Sequence, residues 1–276
     1  MSAAAIPPSL VTGAVRAWHI VLLYTLFWCS AGVISVKLTP SVDPDFANLL
    51  RNTISNAIAA SLTVVVALIV PEMRRAIPSL YSAGKKAIAP ADAVVFVALM
   101  LCWALGASRI AVALPLLEWR PDLYATLGFM ERMPAVSSTN LLLIVLGGSV
   151  VAPLGEELVF RGFLQNLFMR RWGLWPGILL SAFCFGLIHL QYAPFAMVAG
   201  IFFSLLYLKF GTLWPGTVLH ALHNLIASFV TLSGTAILVK PRADVTSLSH
   251  WIPELVLTAA FIPLLILFWR RFRPTP

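Results

Sequence analysis

Apolar residues run along this 276-residue chain in long uninterrupted blocks, and polar residues collect in the short stretches between them. The blocks fall at residues 18–36, 54–70, 93–107, 140–171, 175–190, 194–208, 213–232 and 252–269. A helix rises about 1.5 Å per residue, so roughly 20 apolar residues cross a hydrocarbon layer of about 30 Å. Runs of this length exclude the short alternating strands of a barrel, and a helix satisfies its own backbone within lipid. The pattern therefore predicts an all-α polytopic transmembrane bundle of about eight spans. Pro40, Asp43, Pro44 and Asp45 mark a turn after the first span. Arg109 marks an interface, and residues 110–119 are expected to lie on the membrane surface. Polar loops follow at 120–137 and 233–250, the latter with Lys240, Arg242 and Asp244. Residues 1–10 show neither a basic n-region nor a nearby small-residue cleavage site, so no cleaved signal peptide is expected. No internal repeat or second globular domain is visible.

Composition agrees with this reading. Hydrophobic residues make up 60 % of the chain and charged residues 11 %, against about 25 % charged in a soluble domain. Cys29, Cys102 and Cys184 are odd in number and scattered in apolar blocks, which gives neither a disulfide framework nor a zinc knuckle. The net charge of +8 does not imply nucleic acid, because the basic residues sit in short loops where they set orientation. With eight spans, Arg16, the Arg74–Lys86 and Arg170–Arg171 loops, Lys209 and the Arg270–Arg273 end place eleven of the 19 basic residues on the side of the termini. Seven lie on the other side, matched by seven acids. By the positive-inside rule both termini are cytoplasmic.

One stretch breaks the apolar pattern. Glu156, Glu157 and Arg161 lie within the fourth block, where each unpaired charge costs roughly 3 kcal/mol. Glu157 and Arg161 are four apart with the acid first, the favourable order for an ion pair on a helix. Glu156 points about 100° away and has no local partner. A buried ion-pair cluster that fixes packing would explain the first two residues but not the third. His189, His220 and His223 are the other ionisable residues deep in apolar blocks, and Asn224 shares a helix face with His220. If blocks four and five form a hairpin turning at Trp172–Gly173, unkinked helices bring Glu156 and His189 to the same depth.

Three chemistries suit this set. Glu156, assisted by His189, can activate water while His220 and Asn224 donate to an oxyanion. Glu156, His189 and His220 can instead hold zinc, with one position left for water. The same residues can relay protons or ions across the bilayer.

Taken in order, Glu156-Glu157-x-x-x-Arg161, Phe185-x-x-x-His189 and His220-x-x-x-Asn224 resemble the three signature motifs of the CPBP intramembrane proteases. These are the type II CAAX prenyl endopeptidases and their bacterial relatives, also called the Abi group. The resemblance covers about residues 141–230. It implies a membrane endopeptidase in which Glu156 and His189 activate water and His220 and Asn224 stabilise the oxyanion. Glu157, Arg161, Phe185 and His223 are then supporting residues, and His223 competes with His220 for its role. Whether a divalent metal such as zinc is needed stays open, and H-E-x-x-H is absent. The implied organisation is helices without a motif at 1–137, a catalytic core at 138–232, and a loop with a last helix at 233–276. The implied partners are the bilayer and a membrane-tethered or lipidated substrate, in a bacterial inner membrane. The competing reading is a non-enzymatic membrane protein, either a bacteriocin-immunity factor or an ion-coupled carrier. A carrier should show matched broken helices in two halves, and only one break is visible, at Gly147–Gly148 and Pro153–Gly155.

Overall fold

A computed structural model of the chain describes residues 16–38, 44–82, 87–121, 138–189, 193–232 and 248–274. Every regular element among the described residues is helical. In chain order they are α1 (Ala17–Leu38), α2 (Pro44–Ile69), α3 (Pro71–Leu80), α4 (residues 90–119), α5 (residues 138–172), α6 (Leu174–Leu187), α7 (Ala193–Phe210), α8 (Trp214–Leu232) and α9 (Ile252–Phe272). Pro40, Asp43, Lys85, Lys86 and the first ten residues lie outside the described residues, as do residues 122–137 and 233–247 with Lys240, Arg242 and Asp244.

Four helical stretches are long and apolar enough to cross a membrane: Pro90–Ala111, Leu141–Trp172, Ala193–Phe210 and Ile252–Phe272. A fifth arises if the bent pair Thr53–Ile69 and Pro71–Leu80 counts as one span. The chain is thus an all-helical integral membrane protein. Length alone does not secure all eight expected spans, because Trp18–Ile34 and Leu174–Leu187 are apolar but shorter.

Three local expectations change. Pro44 and Asp45 open α2 instead of belonging to the turn, since proline suits the first helical turn, where its missing N–H is no loss. Val70 is extended (ψ 117°) before Pro71, because the proline ring crowds the helical conformation of the residue ahead of it. The result is a 107° bend and a separate short helix, α3, in place of a loop. It buries Met73, Ala76 and Leu80 and exposes Arg74 and Arg75. Finally, Arg109 does not face solvent. It is 8 % exposed and pairs with Glu254 of α9 at 2.6 Å. Residues 109–119 continue α4 through a π-helical turn (Arg109–Ala113) and a last α-helical turn (Leu114–Trp119). At the other end of the same helix pair, Arg271 meets Asp92 at 2.5 Å.

α5 is the central helix, touching α1, α2, α6, α7 and α8. It carries two π-helical stretches, Ile144–Val151 and Glu157–Gln165, separated by the α-helical turn Ala152–Glu156. Gly155 lets the helix approach α2 until the two backbones touch. A Cβ there would lie 2.8 Å from the Cα of Ala60, closer than carbon atoms pack. On one flank, Tyr24, Ala59, Phe160, Phe163 and Phe185 form a core shared by α1, α2, α5 and α6. On the other, Phe96, Met100, Phe203 and Phe268 join α4, α7 and α9. The charged motif lies between the two.

Candidate active site

The motif sits where α5 changes from α to π winding. Glu156 closes the α-helical turn and Glu157 opens the π-helical stretch. Such bulges recur at functional sites because they re-aim side chains without ending the helix. Glu156, Glu157 and Arg161 are at most 2 % exposed.

Arg161 is held from several sides, although its Nε and Nη1 make no hydrogen bond. One end meets Glu157 Oε1 at 3.1 Å, the expected i,i+4 ion pair. Its other amino group donates to the carbonyl of Gly200 on α7 at 3.3 Å. The guanidinium lies 4.3 Å from the ring centre of Phe185 and 5.2 Å from that of Phe203, where the faces of the rings attract a cation.

Glu157 has a second partner that its spacing could not reveal. His220 Nδ1, on α8, lies 3.0 Å from Glu157 Oε1. A carboxylate only accepts, so the Nδ1 proton belongs to His220 and its Nε2 carries the lone pair. Gly216 makes room for this arrangement, since a Cβ there would stand 3.1 Å from Glu157 Oε2. The His220 ring is stacked on Phe203 at 4.4 Å between centroids.

Glu156 is not isolated. Its Oε2 faces His220 Nε2 at 3.7 Å, beyond hydrogen-bonding distance, and is buried with no hydrogen-bond partner. His189 bonds through Nδ1 to the carbonyl of Phe185, four residues earlier, at 2.7 Å. That leaves its Nε2 as the unprotonated nitrogen. Phe185 touches His189, His220 and Arg161 at once, with ring centroids 4.6 Å and 5.9 Å from the two imidazoles. It is the wall between them. Asn224 donates through Nδ2 to the carbonyl of Gly148 at 2.8 Å. Pro153 offers no N–H to the turn before it, so a carbonyl there is left for a side chain to satisfy. His223 stacks on Phe195 at 6.1 Å, away from the Glu157–His220 contact.

Sequence reading missed the polar residues beyond Arg161. Gln165 and Asn166 are fully buried. Asn166 Nδ2 lies 2.9 Å from the hydroxyl of Tyr207 and 2.8 Å from the carbonyl of Gly162. Gln165 reaches the carbonyl of Ser204 on α7 at 3.5 Å. The signal was present, because Glu157, Arg161 and Gln165 recur every four residues on one face.

For a metal ion, Glu156 Oε2 and His220 Nε2 are the donors facing one another. His220 Nδ1, His189 Nδ1 and Glu157 Oε1 are already engaged. No three His, Cys, Asp or Glu side chains among the described residues are grouped to hold a metal. As placed, the side chains do not fit the expected Glu156–His189–His220 zinc set.

This geometry is that of a buried charged cluster walled by aromatic rings inside a helical bundle, and comparison with known proteins shows what its segment resembles. Residues 138–226 match the family model "Type II CAAX prenyl endopeptidase Rce1-like". Over that segment, about a third of the chain, the protein is similar to CAAX-type prenyl endopeptidases. The chain is also 34 % identical over 94 residues to the "Uncharacterized 24.3 kDa protein" of Escherichia coli, an alignment covering 33 % of this chain and 39 % of that protein. The chain thus spans about two fifths of that curated relative. No solved structure matches.

Proposed function

We propose that the chain is an intramembrane endopeptidase in which Glu156 is the general base for an attacking water. The observation that carries this is a buried carboxylate oxygen with no hydrogen-bond partner. It faces an imidazole nitrogen whose ring is locked by a second carboxylate. The 3.7 Å gap suits a water that touches both groups. As the water attacks a peptide carbonyl, its proton passes to Glu156 and then to the leaving amine. Glu157 holds the tautomer and orientation of His220, as the aspartate of a serine-protease triad holds its histidine. With its proton on Nδ1, His220 Nε2 accepts a hydrogen bond from the water and helps to orient it, so the oxyanion takes its donor from elsewhere. Asn224 has two amide protons, and with one on Gly148 the second remains for the oxyanion. His189 Nε2 is also unprotonated, and the Phe185 ring packs against both His189 and His220, so a water-activating role for His189 is part of this proposal.

The substrate class belongs to the same proposal. A site at this depth suits a peptide that the bilayer itself presents, either membrane-tethered or lipidated. We place both termini in the cytoplasm of a bacterial inner membrane with about eight spans, the arrangement that the loop charges favour.

The deciding experiment compares membrane-protein termini in cells carrying the wild-type chain or Glu156→Ala. Defined new termini should be present with wild type and absent with the variant, although the variant accumulates to the same level. Identical termini in both strains would overturn the proposal in favour of an immunity factor or carrier.

A further inference from the structure

The reaction described above leaves one buried oxygen on α1 without a task. Tyr24 lies outside the matched segment 138–226, is 2 % exposed, and packs edge-on against Phe160 with ring centroids 5.4 Å apart. Phe160 is one turn beyond Glu156 on α5. The Tyr24 hydroxyl is fully buried and has no hydrogen-bond partner among the described residues. Buried hydroxyls rarely remain so, and each exception calls for an explanation. Tyr81, a second tyrosine near the glutamates, needs none, because its hydroxyl donates to the carbonyl of Leu154 at 3.4 Å.

Glu156 Oε2, one turn before Phe160 on α5, is a buried acceptor that is likewise unpartnered. The Tyr24 ring packs on Phe160, and Phe160 lies four residues from Glu156 on the same helix face, so the phenol and the carboxylate share one level of the α1–α5 contact. A phenol stays protonated far above neutral pH and can only donate to a carboxylate. α1 is fixed in this position, since Trp28, one turn from Tyr24, donates to Asn56 of α2 at 2.8 Å.

We propose that Tyr24 is a positioning residue of this site, its hydroxyl donating to the Glu156 carboxylate across one bridging water. The role rests on the assignment of Glu156 above and extends the site to a helix that carries no family motif. The hydrogen bond restricts the carboxylate to the orientation facing His220 and favours its ionised form. The other charged or titratable groups around Glu156 are Glu157 and Arg161 on its own helix and His220 from α8. His189 from α6 stands behind Phe185, and α2 presents Ala59 and Ala60 at this level.

The test is a double-mutant cycle on the full chain in detergent, read by thermal unfolding. Tyr24→Phe removes only the hydroxyl and keeps the ring on Phe160. In the wild-type background it should lower the melting temperature by about 4 °C, and in a Glu156→Ala background by less than half of that. Equal shifts in the two backgrounds would overturn the inference. If Tyr24→Phe fails to accumulate, Tyr24→Leu, which also removes the donor without enlarging the side chain, takes its place in the same cycle.

A second readout separates positioning from packing. With a quenched peptide copied from a Glu156-dependent cleavage site, Tyr24→Phe should lower kcat about 10-fold with KM little changed. Its acid limb should move to higher pH, because a carboxylate that loses a donor is easier to protonate. An unmoved acid limb would assign Tyr24 to packing alone. The cycle needs no catalysis, so failure of the protease assignment and failure of this contact give different results.

Discussion

At the scale of single residues, the two adjacent glutamates do different work, and their partners say which. Glu157 contacts Arg161 and His220 through the same oxygen, whereas Glu156 Oε2 has no hydrogen-bond partner. Glu157→Gln should therefore damage both stability and rate. It leaves Arg161 buried without its counter-charge, a loss of about 3–5 kcal/mol, and it releases the His220 tautomer. Thermal unfolding checks the first effect and cleavage of a site-derived peptide the second. A variant that melts like wild type would show that Arg161 is held by Gly200 and the rings alone. The Glu157–Arg161 pair was legible in the sequence because helix geometry makes i,i+4 residues neighbours. The His220 contact was not, since 63 residues separate the partners and only tertiary packing joins them. Asn224 decides the question of metal. As a good hydrogen-bond donor and a poor zinc ligand, it should lose about 100- to 1000-fold in rate on conversion to alanine with metal content unchanged. Elemental analysis of active, detergent-purified protein supplies the other half, and stoichiometric zinc lost in His220→Ala would require another mechanism.

At the scale of elements, apolar block lengths located the helices well and their interruptions poorly. α5 was expected as one span with suspicious glycines and a proline. The structure resolves them into two π-helical stretches around a single α-helical turn. A straight hairpin was the premise for matching Glu156 to His189 in depth, and π winding alters that register by changing the rise and rotation per residue. The structure instead links the two regions through the Phe185 ring. The α4–α9 clasp was invisible for another reason. Arg109 and Glu254 both lie near block ends, where a charge ordinarily marks the membrane surface, and only their 2.6 Å contact shows that they pair with one another. Glu254→Ala should cost about 3–5 kcal/mol by stranding the buried arginine. Arg109→Met with Glu254→Leu should recover much of that loss, because matched apolar groups replace buried ion pairs with little penalty. Unfolding in detergent measures both. Recovery would identify the clasp as a stability element rather than a functional pair.

At the scale of the whole molecule, the motif-bearing segment 138–226 is enclosed by helices that carry no family motif. α1 and α2 close one flank, with Tyr24 and Ala60 against α5, and α4 and α9 close the other. How these helices cross the bilayer follows from length and charge together. α6 has 14 residues and spans about 21 Å, less than a full hydrocarbon layer. α3, bent 107° from α2, lies close to the membrane plane if α2 crosses it, with Arg74 and Arg75 exposed along its polar face. Counting α1, α2 and α4 to α9 as crossings then returns eight spans, with Arg74, Arg75, Arg170, Arg171 and Arg270 on one side. This layout puts the Gly173 turn between α5 and α6 at the cytoplasmic face, roughly four to five helical turns from Glu156. Reporter fusions after residues 82, 173 and 274 should therefore read as cytoplasmic, and fusions within 122–137 and 233–247 as external. The fusion at 173 is the informative one. If the short α6 re-enters without crossing, the reporters at 173 and 274 fall on opposite faces. The site would then open to the other side of the membrane, and its substrates would have to be presented from there.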